Sequence, residues 1–392
     1  MNIFVTGFSD LSGEKSTPGG MVHLLEVCRN LQGEGNKLTL FVASQKPYRG
    51  SLPYKVVYLP FIKMKYLNLI TMEISLFLYL MWYGIREKCD VIYENCVFYS
   101  ITGVFAAKLL GAVHCMHVHG YYVDEMIMGG HGKFRIWIVR MFEYINYKLT
   151  DALFCVTPVI REKITADYKI REGVANFVYN GVDAERCRPI PKEKAAAELG
   201  LPPDVFYVGF VGYIFPWSGI DKMMEAAPAV IKEFPNTKFV IVGHGIWGDK
   251  LPEMAEKAGV KDNFIFAGYQ PWEKVPVYCS LFDIGLTPYP AEMGVGRYRS
   301  SMKSLEYSAA GTPVIITRCE GVSDIVEKGD CGLVIDPASN TELSDAIIRL
   351  LKDPALRERL GKNGRRLIED NYTWRHIAIR MLEIMSKAKS KK

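Results

Sequence analysis

A chain of 392 residues is too long for one ordinary core and points to two domains. With 49% apolar and 12% aromatic residues it has the composition of a packed globular protein, which excludes a disordered one. Its net charge of +5, with a basic run after Ser386, is far from the balance of a nucleic-acid binder. Nine cysteines occur without a CxxC pair, and several lie in apolar strand-like runs, as Cys155 does in ALFCVT. Such usage favours reduced, buried thiols over a disulfide framework or a zinc site.

The sequence opens on an apolar strand over 2–6, without the basic and apolar regions of a signal peptide. With the cysteine usage this gives a cytoplasmic expectation. A loop then reaches Thr17-Pro18-Gly19-Gly20, a helix is expected over 21–32, and a strand follows over 37–43. The unit reads βαβ. Gly7, Gly13, Gly19 and Gly20 lack the GxGxxG spacing of a dinucleotide site, which argues against an NAD-type oxidoreductase. Residues 66–85 are nearly long enough to span a bilayer, yet they include Asn68, Thr71, Glu73 and Ser75. A glutamate at mid-membrane costs about 3 kcal/mol, so a buried or interfacial helix is expected.

Further strands are expected over 55–59, 91–93, 113–118, 152–156 and 176–179, with helical segments between several of them. Such alternation implies a parallel sheet flanked by helices. His117-Val118-His119-Gly120 ends the 113–118 strand, and ligands of open α/β sheets bind at carboxyl ends of strands. A histidine that merely caps the sheet fits the same place. Asp124 and Glu125 follow within a few residues, as many surface carboxylates do. Residues 131–149 mix Lys133, Arg135, Arg140 and Lys148 with Phe, Trp, Ile and Tyr. That pattern suits a helix on an anionic membrane surface, or a core-facing helix with a solvated charged face.

Residues 179–183 form an Asn-Gly turn and 188–191 a stiff Pro-rich linker, so the first domain is placed at 1–187 and the second at 188–374. The second domain begins on a strand over 207–212, which runs into the loop GYIFPWSG. Strands are expected over 238–242, 263–267, 283–289 and 313–317, with a helix over 275–281. The most informative stretch is 294–317, read as loop, helix, tight turn and buried strand. Ser300 or Ser301 suits the N-cap, and Gly311 sits where a helix end wants a left-handed residue. Lys303 and Glu306 share one face near the N-terminus. A lysine beside free helix amides suits a phosphate, and a glutamate one turn on suits sugar or ribose hydroxyls. A plain i,i+3 ion pair fits the same spacing.

This stretch resembles the donor-binding helix of the retaining glycosyltransferases of family 4, where Lys-x-x-Glu-Tyr-x-Ala-x-Gly-x-Pro-Val closes over a nucleotide-sugar. Lys303, Glu306, Tyr307, Ala309, Gly311, Pro313 and Val314 match it. The resemblance extends from Gly19 to about Trp374. It implies the α/β GT-B fold: two Rossmann-like doubly wound domains facing each other across a cleft, the first for the acceptor and the second for the donor. A final helix, 375–392, would rejoin the first domain.

By the same resemblance His119, Lys303 and Glu306 form the catalytic set. Gly19 and Gly20 present amides to the donor phosphates, and His23 and Asp124 serve the acceptor. Gly212, Tyr213, Ser218 and Gly219 line the diphosphate loop, with Gly243 beside it. The main chain at Tyr269 holds the nucleobase, and Ser301 and Met302 open the donor helix. Two departures stand out. The family usually carries an Arg and a Lys where this chain has Tyr213 and Ser218. The first of two family glutamates falls on Tyr298, leaving Arg297 or Arg299 to supply a phosphate or acid contact. Lys303, backbone amides and helix N-termini then carry more of the charge.

No Asp-x-Asp and no His cluster is evident in the sequence, so neither metal nor cofactor is expected, the nucleotide-sugar being a co-substrate. The expected function is retaining transfer to a hydroxyl of a glycan or lipid-linked glycan, in cell-surface polysaccharide or glycoconjugate synthesis. Peripheral contact with the inner face of the cell membrane goes with it. A nucleotide-sugar 2-epimerase of the same fold is the alternative if no acceptor is needed. A non-catalytic partner subunit is another, favoured by the replaced Arg, Lys and Glu.

Overall fold

The computed structural model describes every residue except 8–10, 12–17, 45, 49, 66, 96–98, 291–299, 320 and 340. The chain divides into two compact units, Met1–Asn180 with Trp374–Lys392, and Gly181–Thr373.

The first unit is built on seven strands: β1 (Asn2–Gly7), β2 (Lys37–Val42), β3 (Lys55–Tyr58), β4 (Val91–Asn95), β5 (Val113–Val118), β6 (Ala152–Cys155) and β7 (Ala175–Phe177). All pairings are parallel, in the order β3-β2-β1-β4-β5-β6-β7. The second unit has six: β8 (Phe206–Val211), β9 (Thr237–Val242), β10 (Phe264–Gly268), β11 (Ile284–Thr287), β12 (Val314–Thr317) and β13 (Gly332–Ile335). They are again parallel, in the order β10-β9-β8-β11-β12-β13. Each order reverses once, at β1/β4 and at β8/β11. Such switch points open a crevice at the carboxyl ends of the strands.

The strands are near-continuous apolar runs because helices cover both faces of each sheet. The expected element types hold, and their ends shift by a few residues. The first helix is Pro18–Gly33, not 21–32, since proline suits the first helical position. The Pro354–Leu367 helix runs into a π-turn, Ile368–Tyr372. The Trp374–Lys389 helix packs on the Pro18–Gly33 helix in the first unit, with Trp374, Met381 and Met385 buried. The cysteines among the described residues are all free thiols, and burial pushes Cys319 and Cys331 up to about 11.

The apolar 66–85 stretch lies in the helix Leu67–Glu87. By length and composition it is the one helix among the described residues that could cross a membrane. Its inner face, however, packs on the sheet: Leu76 and Leu80 join Phe4, Phe41 and Ile92 in a common core. Gly84 is needed there, because a Cβ would stand 2.3 Å from Leu110 Cδ1. The outer face carries Leu67, Ile70, Ile74, Leu78, Trp82 and Ile85, all exposed and spaced three or four apart.

Glu73 ties this helix down. Its Oε2 accepts hydrogen bonds from Ser100 Oγ at 2.7 Å and Thr102 Oγ1 at 2.5 Å, while its buried Oε1 has no hydrogen-bond partner. Burial pushes the carboxyl up to about 7, against the two hydroxyls, and nearby Glu94 adds to the rise. The folded state therefore binds this proton more tightly than the unfolded chain, whose carboxyl titrates near 4.5. The contribution of Glu73 to stability should fall as pH rises from about 4.5 to about 7. Urea denaturation of Glu73→Gln should show this pH slope reduced by about 1–2 kcal/mol across the window. Glu143 and Glu306, also raised to about 7, add slopes of the same sign, and the lowered imidazoles of His23, His117 and His119 add slopes of the opposite sign. An unchanged slope in the variant would contradict the assignment.

Candidate functional site

In the second unit the helix Met302–Ala309 is fixed at both ends and along its inner face. Ser301 occupies the N-cap position but makes no side-chain cap bond; its Oγ accepts instead from Ser304 Oγ at 3.3 Å. Ser304 Oγ in turn lies 3.0 Å from Thr287 Oγ1 on β11. At the other end Gly311 takes φ +75°, as its place in the sequence requires. Gly311 N donates to Ser308 O at 3.0 Å and Thr312 N to Tyr307 O at 2.9 Å, the paired bonds of a Schellman end. Tyr307 lies wholly in the core, and its hydroxyl accepts the Val211 N–H of β8 at 2.8 Å. Its ring fills the space over Gly285, where a Cβ would stand 2.4 Å from Tyr307 Cδ2.

This anchoring places Lys303 against Gly212 at the end of β8, its Cε 3.1 Å from where a Gly212 Cβ would be. Lys303 Nζ donates to Tyr289 OH at 3.3 Å and lies 4.6 Å from the Phe210 ring centroid. It does not pair with Glu306, so the plain ion-pair alternative fails. Glu306 is half-buried, and burial raises its carboxyl to about 7 while Lys303 and Arg186 pull it down. Arg186 was not singled out from the sequence, where it follows the 179–183 turn without a motif of its own. It stacks on Trp272 with its guanidinium 3.3 Å from the ring centroid and pairs with Asp183 at 2.9 Å.

The neighbouring turns interlock through glycine. Gly212 and Gly243 have φ of +145° and +141°, and a Cβ on Gly243 would stand 1.9 Å from Gly212 O. Gly219 begins the Ile220–Glu233 helix at φ +76°, and a Cβ there would stand 1.6 Å from Pro288 O. Ser218 is buried and donates its hydroxyl to Phe215 O at 2.8 Å, so its side chain closes its own turn rather than facing a ligand. That departs from the role given it by position.

Along the carboxyl ends of β10, β9 and β8 runs a row of rings. Tyr269 meets His244 at 5.1 Å, His244 meets Tyr213 at 5.3 Å, and Tyr213 meets Phe215 at 4.3 Å. Phe215 stacks on Trp217 at 4.9 Å and 10°. Tyr269 stays 53% exposed and presents an open aromatic face. His244 was missed in the sequence because a Gly-His-Gly turn carries no motif alone. Met302 is half-buried at the first helical position. Tyr298, Arg299 and Arg297 lie outside the described residues.

In the first unit Gly19 and Gly20 lie in the exposed first turn of the Pro18–Gly33 helix, where amides have no intrahelical partner. On the same helix His23 is 2% exposed and packs edge-on against His117 at 4.6 Å, His119 at 4.4 Å and Trp374 at 5.3 Å. His117 and His119, two apart on one face at the end of β5, stack at 4.5 Å and 7°. His119 Nε2 donates to Asn95 Oδ1 at 2.8 Å, and His117 Nδ1 lies 2.8 Å from Tyr93 OH. Burial lowers all three imidazoles, His119 to about 4, so each is neutral at pH 7.

The three rings bring their ligand nitrogens within 4.8 Å of one another. This corrects the expectation that no His cluster exists: the residues are 94 apart in the chain and only the fold joins them. Asp124, expected at the acceptor, lies 3.6 Å from Lys163 Nζ, which also reaches Asp167 at 3.5 Å.

Residues 191–367 match the family described as Glycosyl transferases group 1, and residues 18–186 match Glycosyltransferase Family 4. The chain belongs to the group 1 glycosyltransferases of the family 4 type. Over 211 residues it is 30% identical to a GDP-mannose-dependent α-(1-6)-phosphatidylinositol monomannoside mannosyltransferase of Mycolicibacterium smegmatis. That match covers 53% of this chain and 54% of the relative. A D-inositol 3-phosphate glycosyltransferase of Nocardia farcinica is 31% identical over 53% of this chain and 46% of its own length. The matches thus span about half the length of these relatives.

Among solved structures, sucrose-phosphate synthase from Thermosynechococcus elongatus superposes with a TM-score of 0.79 at 19% identity, covering both chains fully. Anabaena HepE in complex with UDP-glucose superposes at 0.77 and 16% identity, over 99% of this chain and 100% of its own. These likenesses show the GT-B fold.

Proposed function

We propose that this group 1 glycosyltransferase moves a hexosyl unit from a nucleotide-sugar to a hydroxyl with retention of anomeric configuration, using no metal at the diphosphate. The observation that carries the reading is Lys303, held at a helix N-terminus against the left-handed Gly212 turn, with Glu306 one turn on. A lysine and a helix N-terminus aimed at one place stabilise a leaving diphosphate by charge and preorganisation. Glu306 then accepts hydrogen bonds from ribose hydroxyls, the exposed ring of Tyr269 borders the base, and His119 serves the sugar. Tyr213, standing where the family usually has Arg, leaves Lys303 as the cation on which the diphosphate chiefly depends.

The acceptor is proposed to be a glycan or lipid-linked glycan presented at the cytoplasmic face of the cell membrane. The exposed apolar stripe of the Leu67–Glu87 helix supports this, with Arg86 over the Trp82 ring at 4.2 Å. A second such face lies on the Lys133–Leu149 helix, where Phe134, Trp137, Met141 and Tyr144 are exposed among exposed Lys133, Arg135 and Arg140. Ser100 links the two helices, donating to Glu73 and accepting from Asn146 Nδ2 at 2.7 Å. Basic aromatic faces of this kind lie in the headgroup region of anionic bilayers. One relative, named a phosphatidylinositol monomannoside mannosyltransferase, is in keeping with an acceptor of this kind.

Incubation with UDP-, GDP- and ADP-sugars and a lipid extract, followed by proton NMR of the product, tests the chemistry. One nucleotide class should give acceptor-dependent release of nucleoside diphosphate and a product of unchanged anomeric configuration. Lys303→Ala should lower kcat/KM about 10²–10³-fold, as loss of one preorganised charge-stabilising group does. Consumption of donor without acceptor would favour an epimerase, an inverted product would remove the retaining claim, and inertness with every donor would favour a non-catalytic subunit.

Sedimentation with liposomes tests the surface. Binding should require anionic lipid, weaken with salt, and fall in the double variant Leu78→Glu, Trp137→Glu. Equal recovery in the supernatant with and without anionic vesicles would contradict it.

A further inference from the structure

The histidine cluster of the first unit has a property that sugar transfer does not call for. His23 and His117 are 2% and 0% exposed, and neither nitrogen of His23 nor Nε2 of His117 has a hydrogen-bond partner. Buried polar atoms are nearly always paired, and an exception asks for an occupant such as water or an ion. The outer nitrogens of His117 and His119 are held by Tyr93 OH and Asn95 Oδ1, each at 2.8 Å. Those bonds leave the other nitrogen of each ring as the candidate ligand. Neutral imidazoles oriented by a second hydrogen bond are how proteins hold transition metals. Two histidines two apart at the end of a strand, with a third from another element, supply three ligands and leave one position open.

We propose that His23, His117 and His119 bind one divalent transition-metal ion of the zinc class, with Asn95 and Tyr93 orienting the ligands and water in the fourth position. The ligand atoms now lie within 4.8 Å of one another. Zinc–nitrogen bonds of about 2.0–2.1 Å place tetrahedral ligands about 3.4 Å apart. Closing a difference of about 1.4 Å also requires the rings of His117 and His119, now stacked at 7°, to turn until their nitrogens converge, and His23 has no hydrogen bond to break in turning. Nitrogen donors select zinc, cobalt, nickel or copper and reject magnesium and calcium, which take oxygen. His119 is also the residue assigned to the sugar, so the ion should compete with transfer; that consequence, unlike the binding itself, rests on the function proposed above.

The test uses the full chain, freed of metal, without nucleotide-sugar. Cobalt chloride titration should develop a visible absorption band that saturates at one ion per chain, and zinc chloride should bleach it. Magnesium chloride at the same concentration should not. His23→Leu should abolish the band, and Asn95→Leu should weaken uptake about 10–100-fold, as loss of an orienting partner does. Should His23→Leu fail to fold, His119→Gln, at the partly exposed ligand, decides instead. No band with tens of micromolar cobalt, or uptake unchanged in a folded ligand variant, would overturn the site. A metal that binds to a chain inert with every donor would leave this inference standing and remove the transferase reading.

Discussion

The hydrogen bond from the Val211 amide to the Tyr307 hydroxyl is the constraint on which the second unit's site depends. It joins the last residue of β8 to the middle of the Met302–Ala309 helix at 2.8 Å, inside a core that excludes water. The Tyr307 ring can reach that position only because β11 carries glycine at position 285. A bond so placed sets both the height and the rotation of the helix. Lys303, one turn before Tyr307, must then fall against the Gly212 turn, and Glu306 must lie beside Arg186. The far end is held as firmly: Arg365 Nη1 donates to Ala309 O at 2.9 Å and to Ala184 O at 2.7 Å. Charge at this site is therefore preorganised by packing, not by long flexible arms. That is what stabilising a leaving group demands.

Much of this was legible because local chemistry and tertiary need coincide. Alternation of short apolar runs with helical segments fixes a parallel sheet with few other solutions. Gly311 announces a helix end, and it takes the left-handed conformation that such an end uses. Lys303 and Glu306 are three apart on one helix, so their relation needs no knowledge of the fold. Ser218 shows the limit of position matching: the residue stands where a family lysine would, yet its short hydroxyl bonds back to Phe215 O and leaves only its backbone.

What stayed hidden is long-range. Arg186 reaches Glu306 from a segment 120 residues earlier, and nothing in an Asp-x-x-Arg spacing foretells it. His23, His117 and His119 were each noticed or passed singly, but a cluster in which His23 stands 94 positions before His117 cannot be read as a spacing. The exposed apolar stripe of the Leu67–Glu87 helix was hidden for another reason. Its composition is apolar on nearly all sides, so periodicity does not tell which face Glu73, Leu76 and Leu80 turn to the sheet. The same ambiguity made the Lys133–Leu149 helix readable either as core or as membrane surface, and in the structure its Phe134, Trp137, Met141 and Tyr144 are exposed beside exposed basic residues.

The most direct measurement is calorimetric binding of UDP-, GDP- and ADP-sugars to the chain, with thermal unfolding as the companion. The account predicts that one nucleotide class binds, and that at about 100 times its dissociation constant it stabilises the fold by about 2.7 kcal/mol. Affinity should weaken as pH falls below about 7, where the raised Glu306 carboxyl takes up its proton and ceases to be an ionised acceptor. In Glu306→Ala both the shift and its pH dependence should disappear. Binding that is untouched by the substitution, or no binding from any nucleotide class, would contradict the claim that Lys303 and Glu306 form a nucleotide-sugar site.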